Sequence, residues 1–433
     1  MNSTVGGLLL FFMVMMSIAN DVVGAWFNVW PQWLAGAFGW IAALLLLPGV
    51  SVTQRWQTGV IGFIGLVLLV IAVQGGTAID IAGAIGNNAG LISMIISVGF
   101  LRLVTLSTEN ATELPVGPGA YYKTLLGVSL FGSVINISAP IIFADRLSLP
   151  HGLNRLTSQS ITRIFSGCSA WSPFFGGMAA VITYVPTLSL PVVMLACFPF
   201  AFFGFFVVAG EARLRYSKDL QSFRGYPVQF SSLWVPAALA GMVIILSHLV
   251  PDWSVLTSIS LSALLLSAVV LLIRLGVVES CAILWAQITE QVPRTVNELV
   301  LFLVAGVLAA GISGVIKAGL VSVPFVEFQA FEAAILLGVM ILLAVVGVHP
   351  LVTISGVTPL LMTLQPNANL LAITFLFAWS LGTCASPLSG THLVFQGRYG
   401  IPGWRGASWN WPYVTLMYLL AMPMLYTIQK MVV

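Results

Sequence analysis

Residues 161–181 read ITRIFSGCSAWSPFFGGMAAV, and residues 375–395 read FLFAWSLGTCASPLSGTHLVF. Each stretch is long enough to cross a bilayer, yet each carries glycine, hydroxyl residues, cysteine and a Ser-Pro pair in its middle. Because proline lacks a backbone N–H and clashes with the preceding turn, both stretches are predicted to be broken helices or re-entrant hairpins. Irregular backbone at membrane depth is tolerated where it is buried in protein or lines a cavity. The two breaks therefore indicate both the fold and the place of a site.

The rest of the chain has the composition of an integral membrane protein. Hydrophobic residues make up 59% and charged residues 7% of its 433 residues, with a mean hydropathy of +1.04. A soluble protein of this length would have roughly a quarter of its residues charged. Apolar runs of about 20 residues recur between charged or Gly/Pro-rich interruptions. We therefore predict an all-α polytopic membrane protein, a single membrane domain over residues 1–433 with about 10–13 transmembrane segments.

Charge and cysteine patterns indicate orientation and exclude several classes of site. The net charge of +3 is spread over short loops, so no nucleic-acid partner is predicted. The densest cationic cluster lies in residues 211–224, which the positive-inside rule places in the cytoplasm, and the short loops favour a bacterial inner (plasma) membrane. The four cysteines lack metal-site or disulfide spacing. We predict no cofactor and no metal beyond Na⁺. Residues 277–296 are expected to be a helix along the membrane surface or an ordinary loop helix.

Sliding the sequence against itself by about half its length aligns three unusual features in the same order. The matched pairs are 99–102 (GFLR) with 314–317 (GVIK), Asn136 with His349, and 172–173 with 386–387 (Ser-Pro in both). These matches predict two repeats, residues 1–217 and 218–433. Repeats of this kind are typical of secondary transporters, where they are often inverted and where the substrate site lies at their interface. Inversion is expected here on that ground.

The polar residues around the two breaks suit a coupled anion site. N-termini of half-helices present amides to an anion, while carbonyls and hydroxyls are ligands for Na⁺. A second interpretation is that the small residues only permit close helix packing and the prolines only kink helices. The predicted substrate- and ion-binding residues are Asn136, Ser138, Ser166, Cys168, Ser169, Ser172, His349, Thr353, Ser355, Thr383, Ser386, Ser389, Thr391 and His392.

His349 lies in the middle of a long apolar run, where an ionisable side chain is expensive. It could donate to an anionic substrate, carry a proton, or simply be a neutral histidine bonded to backbone. His392, beside Thr391, is a weaker candidate for the same roles.

The two halves, each with a broken segment rich in small polar residues (161–181 and 375–395), resemble the ion transporter superfamily, which includes the divalent anion–sodium symporters. The resemblance implies an inverted-repeat fold, often a homodimer, with an elevator-like transport cycle. It is architectural, because the paired Ser-Asn-Thr signatures of the symporters are absent and SGCSAWSP and GTCASP stand in their places.

The leading hypothesis is a secondary active transporter that moves a small anionic organic solute by symport with Na⁺ or H⁺. The alternative is a lipid or lipid-linked-sugar translocase (flippase), whose partners would include membrane lipid and a lipid-linked anionic substrate. An enzyme is not predicted, because no intramembrane Asp or Glu accompanies His349 or His392 as a partner. The ATP-binding motif GxxxxGK[ST] is absent from the chain.

Overall fold

The computed structural model describes residues 2–24, 31, 33–105, 114–148, 152–226, 234–321 and 326–432. Over these residues the chain is α-helical, and its only β-type contact is an isolated antiparallel bridge between Val116 and Arg224. The prediction of an all-α chain is confirmed. By chain contacts the molecule divides into two compact units, each assembled from three separate segments. Each helix is assigned to the unit that contains most of its residues.

Unit 1 comprises Met1–Thr105, Ala237–Pro324 and Ile354–Thr363. Its helices are α1 (Asn2–Gly24), α2 (Trp33–Leu46), α3 (Val52–Gln74), α4 (Ile81–Gly86), α5 (Ala89–Val98), α6 (Arg102–Thr105), α13 (Trp234–Leu249), α14 (Val255–Ala286), α15 (Val296–Lys317) and α17 (Pro350–Leu361). Glycines allow its helices to approach closely: a Cβ at Gly311 of α15 would lie 2.6 Å from the Gly65 carbonyl oxygen of α3. Such small-residue contacts are typical of helix packing in membranes.

Helix α14 bends within unit 1 at Gly276, whose φ of 77° is open to glycine at little cost. Beyond the bend the chain stays helical and passes into a π-helical turn, Gln287–Gln291. Val278 is 87% exposed on this arm, whereas Ser280 is buried. The predicted helix over 277–296 is therefore present, as both interpretations of that segment require.

Unit 2 comprises Leu106–Pro236, Phe325–Thr353 and Leu364–Val433. Its helices are α7 (Pro118–Ile135), α8 (Ser138–Leu147), α9 (Arg155–Trp171), α10 (Gly176–Tyr184), α11 (Leu190–Arg215), α12 (Ser217–Gln221), α16 (Ala330–Val345), α18 (Ala368–Ala385), α19 (Gly390–Tyr399) and α20 (Gly403–Val432). Residues 119–144 form one apolar run in the sequence, but the helix over them is interrupted. Asn136 adopts a left-handed φ of 53°, which ends α7 and separates it from α8. With ψ −137°, this is a backbone region that glycine adopts readily and other residues rarely.

Within the described ranges, seven helical stretches are long and apolar enough to cross a membrane, and one of them, Val255–Lys317, is 63 residues long. Shorter apolar helices accompany them. On α11 the apolar side chains of Leu195, Phe206 and Leu214 are 75%, 54% and 85% exposed. Large apolar side chains exposed in such numbers need lipid rather than water around them. The chain is a polytopic membrane protein.

Candidate functional site

The two Ser-Pro segments have nearly the same backbone geometry. At the first break, residues 172–175, Ser172 has φ −78° and ψ 127°; at the second break, residues 386–389, Ser386 has φ −82° and ψ 125°. Each serine N–H closes the last helical turn, to the Cys168 carbonyl at 2.9 Å and to the Gly382 carbonyl at 2.8 Å. The predicted breaks therefore exist, and they lie at matched positions of α9–α10 and α18–α19.

The hydroxyl groups at the two breaks are used differently. Ser172 Oγ donates to the Ser133 carbonyl of α7 and accepts from the Phe174 N–H at 3.2 Å. Ser386 Oγ accepts from the Leu388 N–H at 3.3 Å. Both serines are buried, so each hydroxyl is a fixed part of its turn.

The helices that follow the breaks begin differently. Helix α10 begins after Phe175, which offers no side-chain acceptor to the amides of the first turn. Helix α19 begins after Ser389, whose Oγ accepts from the His392 N–H. The Thr391 hydroxyl in the first turn of α19 is buried and has no hydrogen-bond partner among the described residues. The first turns of α10 and α19 therefore retain polar groups that a bound solute or ion could use.

The first helices of the two broken segments contact each other inside unit 2. Ser166 Oγ of α9 donates to the Ser380 carbonyl of α18. A Cβ at Gly177 of α10 would lie 2.9 Å from the indole of Trp379, so the second half of the first broken segment also packs against α18. The structure thus brings the two predicted segments together in one compact unit.

Several predicted ligand residues bond to the backbone of their own helix. Ser169, Thr353 and Thr383 donate to the carbonyls of Ser166, Pro350 and Trp379 at 2.7, 2.8 and 2.8 Å. Hydroxyl groups in helices commonly make such bonds, and they need no ligand to satisfy them. Cys168 Sγ likewise approaches the Ile164 and Ser129 carbonyls, each at 3.3 Å. These four side chains fit the packing interpretation.

The remaining predicted residues lie at the other interruptions of unit 2 or in unit 1. Asn136 forms the α7–α8 interruption and Ser138 begins α8. His349 directly precedes α17, and its Nδ1 accepts from the Leu351 N–H at 3.1 Å. Its ring meets that of Trp379 edge-on, 5.2 Å between centroids. Ser355 is buried in unit 1. His349 Nδ1 therefore helps to satisfy the start of a helix.

Sequence reasoning missed a buried charged side chain of unit 2 that has several partners. Arg163 of α9 is 3% exposed, and its guanidinium forms an ion pair with Glu211 of α11. It also donates to Asn410 Oδ1 at 2.8 Å and to the Trp409 carbonyl at 2.9 Å, and it lies 5.0 Å from the ring centroid of Tyr413. An arginine inside a predicted span was the available signal, because a buried charge needs partners.

No protein-family model matches the sequence, and no curated protein matches it. Among solved structures, the chain is similar to the crystal structure of the YdaH transporter from Alcanivorax borkumensis, which is described as having an unusual topology. The match has a TM-score of 0.57 and covers 86% of this chain and 98% of that one. The two chains share a fold. Sequence identity to the YdaH transporter is 13%, so the likeness shows the fold alone.

No group of three or more His, Cys, Asp or Glu side chains is placed to hold a metal ion within the described ranges. The YdaH transporter likeness concerns the path of the helices. The chemistry of this chain must therefore be argued from its own residues at the two breaks.

Proposed function

We propose that the chain is a secondary active transporter that moves a small anionic organic solute in symport with Na⁺ or H⁺, at a site formed by the two breaks. The observation that carries the proposal is the pair of matched Ser-Pro breaks inside one compact unit. Interrupted helices at membrane depth occur where the backbone is buried in protein or lines a cavity, and in secondary transporters they form the binding site. Two interruptions with the same geometry are the arrangement that coupled transporters use for binding.

The chemistry around the breaks supports an anion and a small cation. The first-turn amides of α10 have no side-chain cap, and the N-terminus of a helix favours negative charge. The buried Thr391 hydroxyl has no partner among the described residues and is an oxygen ligand of the kind that Na⁺ takes. Carbonyl and hydroxyl oxygens at both breaks offer further ligands.

The repeat halves, residues 1–217 and 218–433, belong to the proposal. At the 214-residue offset of the proposed repeats, Ser166 aligns with Ser380, and the Ser166 hydroxyl donates to the Ser380 carbonyl. Aligned residues would meet in this way at an axis relating two repeats. The resemblance to the ion transporter superfamily supports extending the proposal to inverted repeats, an elevator-like cycle and a homodimer. The short loops and the positive-inside rule support a bacterial inner membrane with residues 211–224 in the cytoplasm.

The experiment is uptake into proteoliposomes that contain the purified protein. A panel of radiolabelled small mono- and dicarboxylates is tested under an inward Na⁺ gradient, an inward H⁺ gradient and no gradient, each with and without an ionophore that collapses the gradient. We expect accumulation above equilibrium for at least one carboxylate under one gradient, abolished by the matching ionophore. The same vesicles carry a fluorescent lipid whose exposure to external dithionite reports flipping. Lipid flipping without carboxylate uptake would contradict the proposal and favour the translocase.

A further inference from the structure

A continuous line of buried hydrogen bonds crosses unit 2 from the end of α11 to the second break. Glu211 binds Arg163, Arg163 donates to Asn410 Oδ1 at 2.8 Å, and Asn410 Nδ2 lies 3.3 Å from His392 Nε2. His392 Nδ1 lies 2.8 Å from the Ser386 carbonyl oxygen. We refer to Glu211, Arg163, Asn410 and His392 as the Arg163 chain. It joins four helices, α11, α9, α20 and α19.

The direction of every bond in the Arg163 chain follows from its first member. A guanidinium can only donate, so the Asn410 atom that faces Arg163 Nε must be the amide oxygen. The amide nitrogen then faces the other way, where it donates to the Gly406 carbonyl at 3.0 Å. The same nitrogen faces His392 Nε2, which must therefore accept through its lone pair.

The protonation of His392 follows by the same reasoning. If Nε2 accepts, the single hydrogen of the neutral ring is on Nδ1. The Ser386 carbonyl oxygen beside Nδ1 can only accept, so this tautomer satisfies both atoms. Ser389 Oγ is 3.0 Å from the same nitrogen and is a second possible acceptor for its hydrogen. An imidazolium would instead direct an Nε2–H at the NH₂ group of Asn410.

We infer that Asn410 is a positioning residue that keeps His392 neutral with its hydrogen on Nδ1. In this state His392 donates to the Ser386 carbonyl and does not serve as a proton carrier during transport. The inference concerns the site of the proposed function, but it rests on these hydrogen bonds alone. This hydrogen bonding through a histidine is found at the second break only, because the residue at the same distance after the first Ser-Pro pair is Met178.

The charged surroundings of His392 agree with this assignment. The cation Arg163 lies behind Asn410 and is compensated by Glu211, while Tyr413 of α20 lies against the guanidinium. The last turn of α19 carries Arg398, which forms an exposed ion pair with Asp145 of α8. No carboxylate is hydrogen-bonded to either ring nitrogen of His392 among the described residues. Nothing within bonding distance therefore stabilises a second proton on the ring.

The test is ¹⁵N nuclear magnetic resonance of histidine-labelled protein in detergent, which needs no transported solute. The chain has only four histidines, and the signals of His392 are those lost in both His392→Asn and His392→Gln. We expect wild-type His392 to keep a protonated Nδ1 and an unprotonated Nε2 at every pH from about 5.5 to 8, across the range in which an ordinary histidine titrates. A His392 that titrates in this range, or that carries its hydrogen on Nε2, would overturn the inference.

Asn410→Asp supplies the decisive variant. It places a carboxylate where Nε2 now meets an amide NH₂, so His392 should become doubly protonated within the same pH range. Asn369→Asp is the matched control, because its amide oxygen accepts from the Ser189 N–H elsewhere in unit 2 and the change adds the same charge. Only Asn410→Asp should change the His392 signals. Identical His392 spectra in both variants would contradict a positioning role for Asn410.

Two substitutions at His392 give a readout of the bond to Ser386. Asparagine places its amide nitrogen near the position of Nδ1, whereas glutamine places it near Nε2. The thermal unfolding midpoint of His392→Asn should therefore lie closer to wild type than that of His392→Gln. The reverse order would contradict the assignment of the hydrogen to Nδ1. A failure of the uptake experiment leaves all of these outcomes intact, so the two proposals can fail separately.

Discussion

Replacing Glu211 by glutamine removes the carboxylate that compensates a buried guanidinium. The side chain of Arg163 is 3% exposed and that of Glu211 is 17% exposed, so little water can replace the lost charge. Removing one partner of a fully buried ion pair costs about 3–5 kcal/mol. Glutamine keeps one acceptor oxygen, and Glu211 has some contact with solvent. We therefore expect a loss of about 2–3 kcal/mol in the free energy of unfolding.

The assay is reversible unfolding by SDS in mixed micelles, followed by the fluorescence of the 13 tryptophans. The matched control is Asp145→Asn, which breaks the other ion pair of unit 2 that links distant parts of its chain. There Arg398 and Asp145 are 52% and 47% exposed. Exposed pairs contribute about 0–1 kcal/mol, so the control should unfold close to wild type.

The effect of Glu211→Gln on the free energy of unfolding should depend on the presence of Arg163. In an Arg163→Met background no guanidinium remains, so the additional loss from Glu211→Gln should fall below about 1 kcal/mol. The coupling energy of the cycle should then be about 2 kcal/mol. Equal effects of Glu211→Gln in both backgrounds would refute the view that the buried ion pair between Arg163 and Glu211 stabilises unit 2. Equal effects of Glu211→Gln and Asp145→Asn would refute it as well.

Two further predictions concern backbone geometry. Gly7→Ala should lower the thermal unfolding midpoint sharply, because the new Cβ would lie 2.1 Å from the Ile288 carbonyl oxygen, whereas Gly59→Ala, which meets nothing within 4 Å, should not; similar midpoints would contradict the packing of α1 on the π-helical turn. Asn136→Ala should destabilise by about 1 kcal/mol while Asn136→Gly stays near wild type in the same unfolding assay, because φ is 53° there; an alanine variant as stable as the glycine variant would contradict the left-handed turn.

The breaks could be predicted because their cause is local. Proline removes a backbone donor, and at Pro173 and Pro387 it stands among glycine and hydroxyl residues, which together mark both sites in the sequence. Proline alone would not have sufficed, because α11 and α20 continue through Pro199 and Pro423. Composition sufficed for the helical membrane class in the same way. The α7–α8 interruption was harder to predict, because a single asparagine in an apolar run does not enforce the positive φ that ends α7 at Asn136.

The Arg163 chain could not be assembled from sequence because its members are distant along the chain. Arg163 is 48 residues from Glu211 and 247 residues from Asn410. The arginine itself lies in the first Ser-Pro segment, residues 161–181, but its partners are determined by tertiary packing. The same limit applies to His392, whose protonation depends on an amide that only the fold brings to it.

The central claim is that the two breaks together form a coupled transport site. Ion-gradient-driven uptake by Ser172→Ala and Ser386→Ala in proteoliposomes tests it most directly, using the carboxylate accumulated by the wild-type protein. Each change removes a hydroxyl that shapes one break, a loss of about 1.5 kcal/mol that corresponds to about tenfold slower uptake. The control is Ser247→Ala, whose hydroxyl bonds only to the Val243 carbonyl of its own helix in unit 1. We expect both break variants to take up the carboxylate about tenfold more slowly than the wild-type protein, while the control keeps the wild-type rate. Wild-type uptake in Ser172→Ala and Ser386→Ala would contradict the central claim.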